Sequence, residues 1–359
     1  VSINALIKAV IPQFVRDEIY RRRFLFLYEN HYNRNLTNLI KANNFLSEKM
    51  VADVMRKHKL GCRWASVYSA MNGIVSRDYV SNGFFFSQIQ PRMNPVKFVD
   101  SYTDKNFYDT LPFREYTPLA IARKISGRYF DNEYNSLSDQ ALEEKLKRYN
   151  GDLVIKPAIE SGSGKNIWIG PSAEAYSELI SRTQTKDIIV QECLRGNDFS
   201  KRLNPTSFNT VRVMTGFTGS EHVVLGSALR MGFLGSRVDN MTAGGLIVGI
   251  RADGSLYDFA VDKNFNKYES HPHIPFIFKN ESVPGYQDIA AVCLRMHRYL
   301  PHFGIVSWDA AIDDKGRIRI VEYNLDWQGI NILQIPHGPL FGIYKDQFKK
   351  TYGLPDWEK

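Results

Sequence analysis

Two apolar runs near the end of the chain, GIVSWDAAI at residues 304–312 and IRIVEYNLD at 318–326, carry acidic groups inside otherwise hydrophobic strands. Asp309 lies within the first run. Glu322 and Asn324 lie two apart in the second, so the two-residue period of a strand puts them on one face. Asp314, Lys315 and Gly316 supply a turn between the runs, which predicts a hairpin. Counting outward from that turn brings Asp309 beside Glu322. Two carboxylates and an amide oxygen on one buried face repel unless a hard cation joins them. Mg²⁺ takes such ligands and completes its shell with water and phosphate oxygens. Asp309, Glu322 and Asn324 are therefore candidate metal ligands; the competing reading is a carboxylate pair satisfied by Lys or Arg.

The rest of the second half fits a sheet of this kind. After Gly151, short apolar runs alternate with turns: DLVIKPA, NIWIG, DIIVQECL, FNTVRVMTGF, HVVLGSALRMG, GGLIVGIR and GSLYDFAV. These read as antiparallel strands. Helical patterns are inserted at SAEAYSELISR and GYQDIAAVCLRMHRYL. Residues 1 to about 80 read as mostly helical, with Asn35 or Thr37 as a cap, and SRDYVSNGFFFSQIQPRMNP reads as a loop. Between 100 and 150 the pattern predicts a helix from about Asp104, a linker, and a second helix capped at Ser136 or Ser138. The class expected is α+β.

Three further segments offer groups for an anion. Lys156 stands on an apolar strand, where a cation is costly to bury unless it meets an anion. The following loop, Ser161, Gly162, Ser163, Gly164 and Lys165, has the small residues whose backbone N–H groups cradle phosphates, without the spacing of a Walker loop. Lys105, opening a helix, supplies a second cation. The strand ending at Gln191 and Glu192 leaves into a polar loop, an exit that offers backbone groups to a base edge and a carboxylate to a ribose. Arg212 alternates with Val211 and Val213 and points away from the apolar face; Arg230 ends the next strand. Two such arginines converge well on phosphoryl oxygens. Asn240 and the Gly244–Gly245 pair mark a loop shaped for close backbone approach.

Charge and cysteine content narrow the partners. With 46 Lys and Arg against 38 Asp and Glu, the net charge of +8 favours anionic ligands, and the basic residues concentrate early in the chain. No nucleic-acid motif accompanies them, so no nucleic-acid partner is expected. There is no apolar run long enough to span a membrane, and the first residues do not read as a signal peptide. Cys62, Cys193 and Cys293 are too far apart for a metal site and odd in number, which fits buried thiols in a reducing cytoplasm.

Taken together, these residues resemble the ATP-grasp superfamily. The resemblance is closest to the sugar-transfer-associated branch and glutamate-ligase-like proteins, through NPTSFNTVRVMT, RVDNMTAGGLIVGI and VEYNLDWQGINILQ, and covers about residues 100–345. It implies an ATP-grasp fold. Residues 1–100 would be a helical, basic region open to substrate binding, 101–195 a first subdomain and 196–359 a second. It implies that Lys105 and Lys156 bind the α- and β-phosphates of ATP and that residues 161–165 close over them. Gln191, Glu192, Cys193 and Leu194 would flank adenine, and Asp198 or Lys201 would meet ribose or phosphate. Arg212, with Arg230 and Asn240, would stabilise the transferred phosphoryl group, and Asp309, Glu322 and Asn324 would hold one or two Mg²⁺. The implied activity is ATP-dependent carboxylate–amine ligation through an acyl phosphate. By analogy with the branch, the acceptor is a uronic acid, free or nucleotide-linked, that receives an amino acid or amine in surface-polysaccharide synthesis. A phosphotransferase using the same site, and a nucleic-acid or membrane module built on the basic N-terminal helices, are the alternatives. A homodimer is left open.

Overall fold

The computed structural model describes residues 27, 31–159, 166–182, 187–233, 235–237, 239, 241 and 244–357. Two antiparallel sheets dominate them. The first contains β1 (Ala120–Ile125), β2 (Arg128–Phe130), β3 (Ser136–Leu137), β4 (Asp152–Pro157), β5 (Trp168–Pro171) and β6 (Ile188–Glu192), in the order β3-β2-β1-β6-β4-β5. Helices Asp139–Arg148 and Ser172–Arg182 lay Leu142, Leu146, Ala175 and Leu179 on Ile121, Leu153, Ile155 and Val190 of this sheet. Ser138 starts the first of these helices by accepting from the Ala141 N–H, while Ser136 belongs to β3.

The second sheet contains β7 (Val211–Phe217), β8 (His222–Met231), β9 (Leu246–Ile250), β10 (Leu256–Val261), β11 (Lys267–Tyr268), β12 (Ile305–Ile312) and β13 (Ile318–Asn324), in the order β11-β10-β9-β8-β7-β12-β13. Val211 and Val213 face the apolar side, where helix Tyr286–His297 buries Ile289, Val292, Cys293 and Met296 against them and Trp308. Each such side chain contributes about 1.5–3 kcal/mol on burial. The opposite face is half covered, by Phe85, Ile89, Met93, Leu333, Phe341 and Phe348. Its other half, with Arg212, Arg230, Asp309 and Glu322, is left to a cleft. Helices Glu48–His58 and Arg63–Asn72 pack on Val261, Phe265 and Ile335, so the early helices sit on the second sheet.

Several local expectations change. Asn35 and Thr37 lie inside a helix over 31–42 instead of capping one, and Thr37 Oγ1 donates to the Asn33 carbonyl. The supposed loop at 76–95 is largely helical: Asn82–Phe84, a π-helical turn Phe85–Ile89, then Gln90–Met93. Ser81 caps it by accepting from the Phe84 N–H, and burial of Phe85 and Ile89 overrides the Asn-Gly turn signal. The linker after Leu111 contains β1, β2 and β3. The helix expected from Asp104 is a six-residue 3₁₀ segment, Lys105–Thr110, capped by Asp104. The apolar pattern over residues 4–19 lies outside the described residues. No helix among those described is long and apolar enough to cross a membrane.

Candidate active site

A cleft of about 1150 Å³ opens between the two sheets. Lys156 reaches it from β4, and Gln191, Glu192, Cys193 and Leu194 from the exit of β6. Arg212 comes from β7, Arg230 from β8, Asp309 from β12, and Glu322 and Asn324 from β13. Lys105 stands between the sheets: its N–H donates to the Ala158 carbonyl at 2.9 Å and its ammonium lies 3.3 Å from Glu322 Oε1.

The register assembles the charged face. Asp309 pairs with Glu322 on one side and with Arg212 on the other. Arg212 holds Asp309 in a two-pronged contact, Nε to Oδ1 at 2.5 Å and Nη2 to Oδ2 at 2.7 Å. Arg230 Nη1 donates to Asp309 Oδ2 at 2.8 Å, and its Nη2 lies 3.0 Å from Asp239 Oδ1. Burial works against a charge on Asp309, but the two guanidiniums outweigh it and hold the carboxyl at about 2. Burial likewise works against the charge on Arg230, and Asp239 and Asp309 hold it firmly protonated. Lys156 is different. Burial, then repulsion from Lys105, lowers its ammonium to about 8 against a smaller pull from Glu322. It has no hydrogen-bond or ion-pair partner among the described residues, and only 5% of it is exposed. A buried, under-neutralised cation at a cleft wall calls for an anion.

The competing reading of the hairpin is thus partly realised: Asp309 is neutralised by arginine and Glu322 faces lysine. The donor set nonetheless fits a hard divalent cation. It is all oxygen, Asp309 is fully ionised, Glu322 is 29% exposed, and Asn324 keeps its amide on the same face, its Nδ2 only 3.5 Å from the Ser307 carbonyl. Among the described residues no three His, Cys, Asp or Glu side chains converge as a metal cage.

Other candidates fall out differently. Glu192 spends its carboxylate on the Leu119 N–H at 2.9 Å and on Arg319 of β13, so it joins the two sheets instead of standing free for a ribose. The Leu194 N–H has no partner among the described residues. Lys201 lines the cleft, but Asp198 does not. Asp198 opens helix Asp198–Leu203 behind its Asn197 cap and projects fully into solvent, 3.4 Å from Lys201, so a ribose contact by Asp198 is not supported. Ser161, Gly162, Ser163, Gly164, Lys165 and Asn240 lie outside the described residues.

Sequence reasoning passed over Asp239, the second carboxylate on Arg230, although the stretch RVDNMTAGGL was singled out. It also passed over Arg237, which donates to the Ile169 carbonyl across the cleft at 2.5 Å, and Arg319. No histidine among the described residues lines the cleft. The arrangement can neutralise charge on a polyanion and on an atom gaining negative charge.

Residues 85–345 match the family model described as sugar-transfer associated ATP-grasp. A comparison with curated proteins returned no match. Among solved structures, the chain is similar to the biotin carboxylase domain of Hydrogenobacter thermophilus 2-oxoglutarate carboxylase, at 12% identity over 69% of this chain and 44% of that one, with a TM-score of 0.39. It is similar to the biotin carboxylase of Campylobacter jejuni at 12% identity, over 73% and 48%, with a TM-score of 0.41. It is similar to D-cycloserine synthetase DcsG at 10% identity, over 72% and 73%, with a TM-score of 0.43. The chain spans less than half the length of the two biotin carboxylases.

Proposed function

The chain belongs to the sugar-transfer associated ATP-grasp family, and from that premise we propose that it is an ATP-dependent carboxylate–amine ligase acting on a uronic sugar. The observation that carries the reading is the pairing of the buried Lys156 on one wall of the cleft, with the buried Lys105 between the sheets, and the Arg212–Asp309–Arg230 cluster on the other wall. Lys105 and Lys156 meet the α- and β-phosphates. Residues 161–165 close over them, and Lys201 adds charge at the rim. The β6 exit, Gln191 to Leu194, receives adenine, with the Leu194 N–H as a donor to its edge. Asp309, Glu322 and Asn324 hold Mg²⁺, which when bound neutralises phosphate charge and orients the γ-phosphoryl group.

In this scheme the substrate carboxylate attacks the γ-phosphorus and ADP leaves. The amine then attacks the acyl carbon, phosphate departs, and the amine proton is lost to solvent. Arg212 and Arg230, with Asn240, face the negative charge that develops in both steps, so their fixed dipoles and charges supply the catalysis. We take residues 101–195 and 196–359 as the two gripping subdomains and 1–100 as part of the acceptor side. Surface-polysaccharide synthesis and a nucleotide-linked acceptor complete the reading.

The test is carboxylate-dependent ADP release from Mg-ATP with hydroxylamine as the amine, over a panel of uronates and amino acids. A hydroxamate is expected, and Arg212→Ala should lower its rate by at least about a hundredfold, the scale of losing one transition-state donor. A stable phosphorylated product without hydroxamate would instead identify a phosphotransferase.

A further inference from the structure

The loop between β8 and β9 brings to the cleft a carboxylate, Asp239, that is no part of the candidate metal site. The segment before β7 fastens that loop. Asn204 Nδ2 donates to the Phe233 and Ser236 carbonyls at 2.8 and 3.0 Å, and Thr206 Oγ1 donates to the Ser236 carbonyl at 2.9 Å. The Gly232 N–H donates to Asn209 Oδ1 at 3.0 Å. The stretch NPTSFNT is therefore an anchor, in which short polar side chains, buried at Asn204 and Asn209, satisfy backbone groups outside the sheet.

The anchored loop closes a ring of contacts on Arg230. Asp239 Oδ2 accepts from the Thr210 N–H at 2.8 Å and from the Thr210 hydroxyl. The Arg230 N–H donates to the Thr210 carbonyl at 2.8 Å, and Asp239 Oδ1 lies 3.0 Å from Arg230 Nη2. Arg230 Nη1 is taken by Asp309. Both prongs of the guanidinium thus face a carboxylate, which fixes its plane, while its Nε–H has no partner among the described residues. The two carboxylates are not equivalent. Asp309 divides its oxygens between Arg212 and Arg230 and is a candidate ligand for Mg²⁺. Asp239 holds only Thr210 and Arg230, so its grip persists when a cation draws on Asp309. Arg212, by contrast, is held among the described residues by Asp309 alone.

We infer that Asp239 is a positioning residue for the reaction: it locks the Arg230 guanidinium towards the place where negative charge develops, independently of the β12–β13 hairpin; this rests on the ligase reading above. The test is a double-variant cycle in the hydroxamate assay with the full chain and Mg-ATP. Asp239→Asn keeps an oxygen for the Thr210 N–H but removes the charge facing Arg230. Its kcat is expected to fall about tenfold, with the KM for Mg-ATP within about twofold of wild type. In an Arg230→Ala background the same substitution should cost less than about twofold, because its effect passes through Arg230. Thr210→Val takes one hydrogen bond from Asp239, is milder on folding, and should follow the same pattern at about threefold. A loss of equal size with and without Arg230, or a rise in KM without a fall in kcat, overturns the positioning role. Arginine side-chain nitrogen NMR with Mg-ADP reads the lock apart from turnover: rotation about the Arg230 Cζ–Nη bonds should be hindered in the wild type and freed in Asp239→Asn. If no acid releases ADP from the wild type but that difference is seen, the ligase reading fails and the lock on Arg230 stands. If the wild type forms hydroxamate while Asp239→Asn rotates and turns over like it, the lock fails and the ligase reading stands.

Discussion

Lys156 shows how a single side chain carries the mark of its surroundings. Burial and Lys105 lower its ammonium to about 8, while an unfolded chain holds that proton to about 10.5. Between those values the unfolded state binds more protons, so stability rises with pH across the window. Below pH 8 the charged lysine costs on the order of 3 kcal/mol. Lys156→Met is therefore expected to raise the melting temperature at pH 7, with the gain fading by pH 10.5, and to weaken nucleotide binding. Calorimetry in buffers of different ionisation enthalpy should find proton uptake when ATP binds the wild type near pH 8.5, and none in the variant. Asp309 has the opposite sign. Held at about 2 by Arg212 and Arg230 against burial, it contributes stability above the ordinary value of 3.8 that is lost as pH falls through 2. Asp309→Asn leaves the half-buried Arg212 without its carboxylate and should cost about 3 kcal/mol in denaturant titrations at pH 7.

At the level of elements, the β12–β13 hairpin was legible to within one residue: counting from residues 314–316 sets Asp309 opposite Val321, and a bulge between Asp309 and Ala310 moves it onto Glu322. The Arg212–Asp309 contact was not, since β7 joins β12 across nearly a hundred residues and no local pattern reports which strands become neighbours. The helical segment at 82–93 was missed because Asn82 and Gly83 give a turn signal that only tertiary burial of Phe85, Ile89 and Met93 overrules. β1 to β3 were missed because Arg123 and Lys124 break the apolar pattern; Arg123 is buried through its ion pair with Asp109 and the face of Tyr134. The exit of β6 is fastened to the hairpin by Glu192 and Arg319, and by the Asn197 N–H to the Ile312 carbonyl at 3.2 Å. Arg319→Met should destabilise the protein by about 3 kcal/mol and raise the KM for ATP. In the double variant with Glu192→Leu much of the stability should return, because no buried charge is then left alone.

For the molecule as a whole, the cleft is a seam between two sheets. Arg237 reaching the Ile169 carbonyl is one crossing, and Lys105 is another. Arg237→Ala is expected to quicken ADP dissociation in stopped-flow measurements while leaving the stability of the protein within about half a kcal/mol of wild type, as for other exposed substitutions. Mg-ADP at a hundred times its Kd should stabilise the chain by about 2.7 kcal/mol. The pairing of β7 with β12 also has a meaning for folding. Arg212 meets Asp309 only in one alignment of the two strands. A slip of one residue turns every side chain to the other face, driving a guanidinium towards Trp308 and leaving a carboxylate bare. The contact that equips the cleft for chemistry therefore also proofreads the zipping of the sheet, and a mis-aligned chain carries its own penalty in unpaired charge.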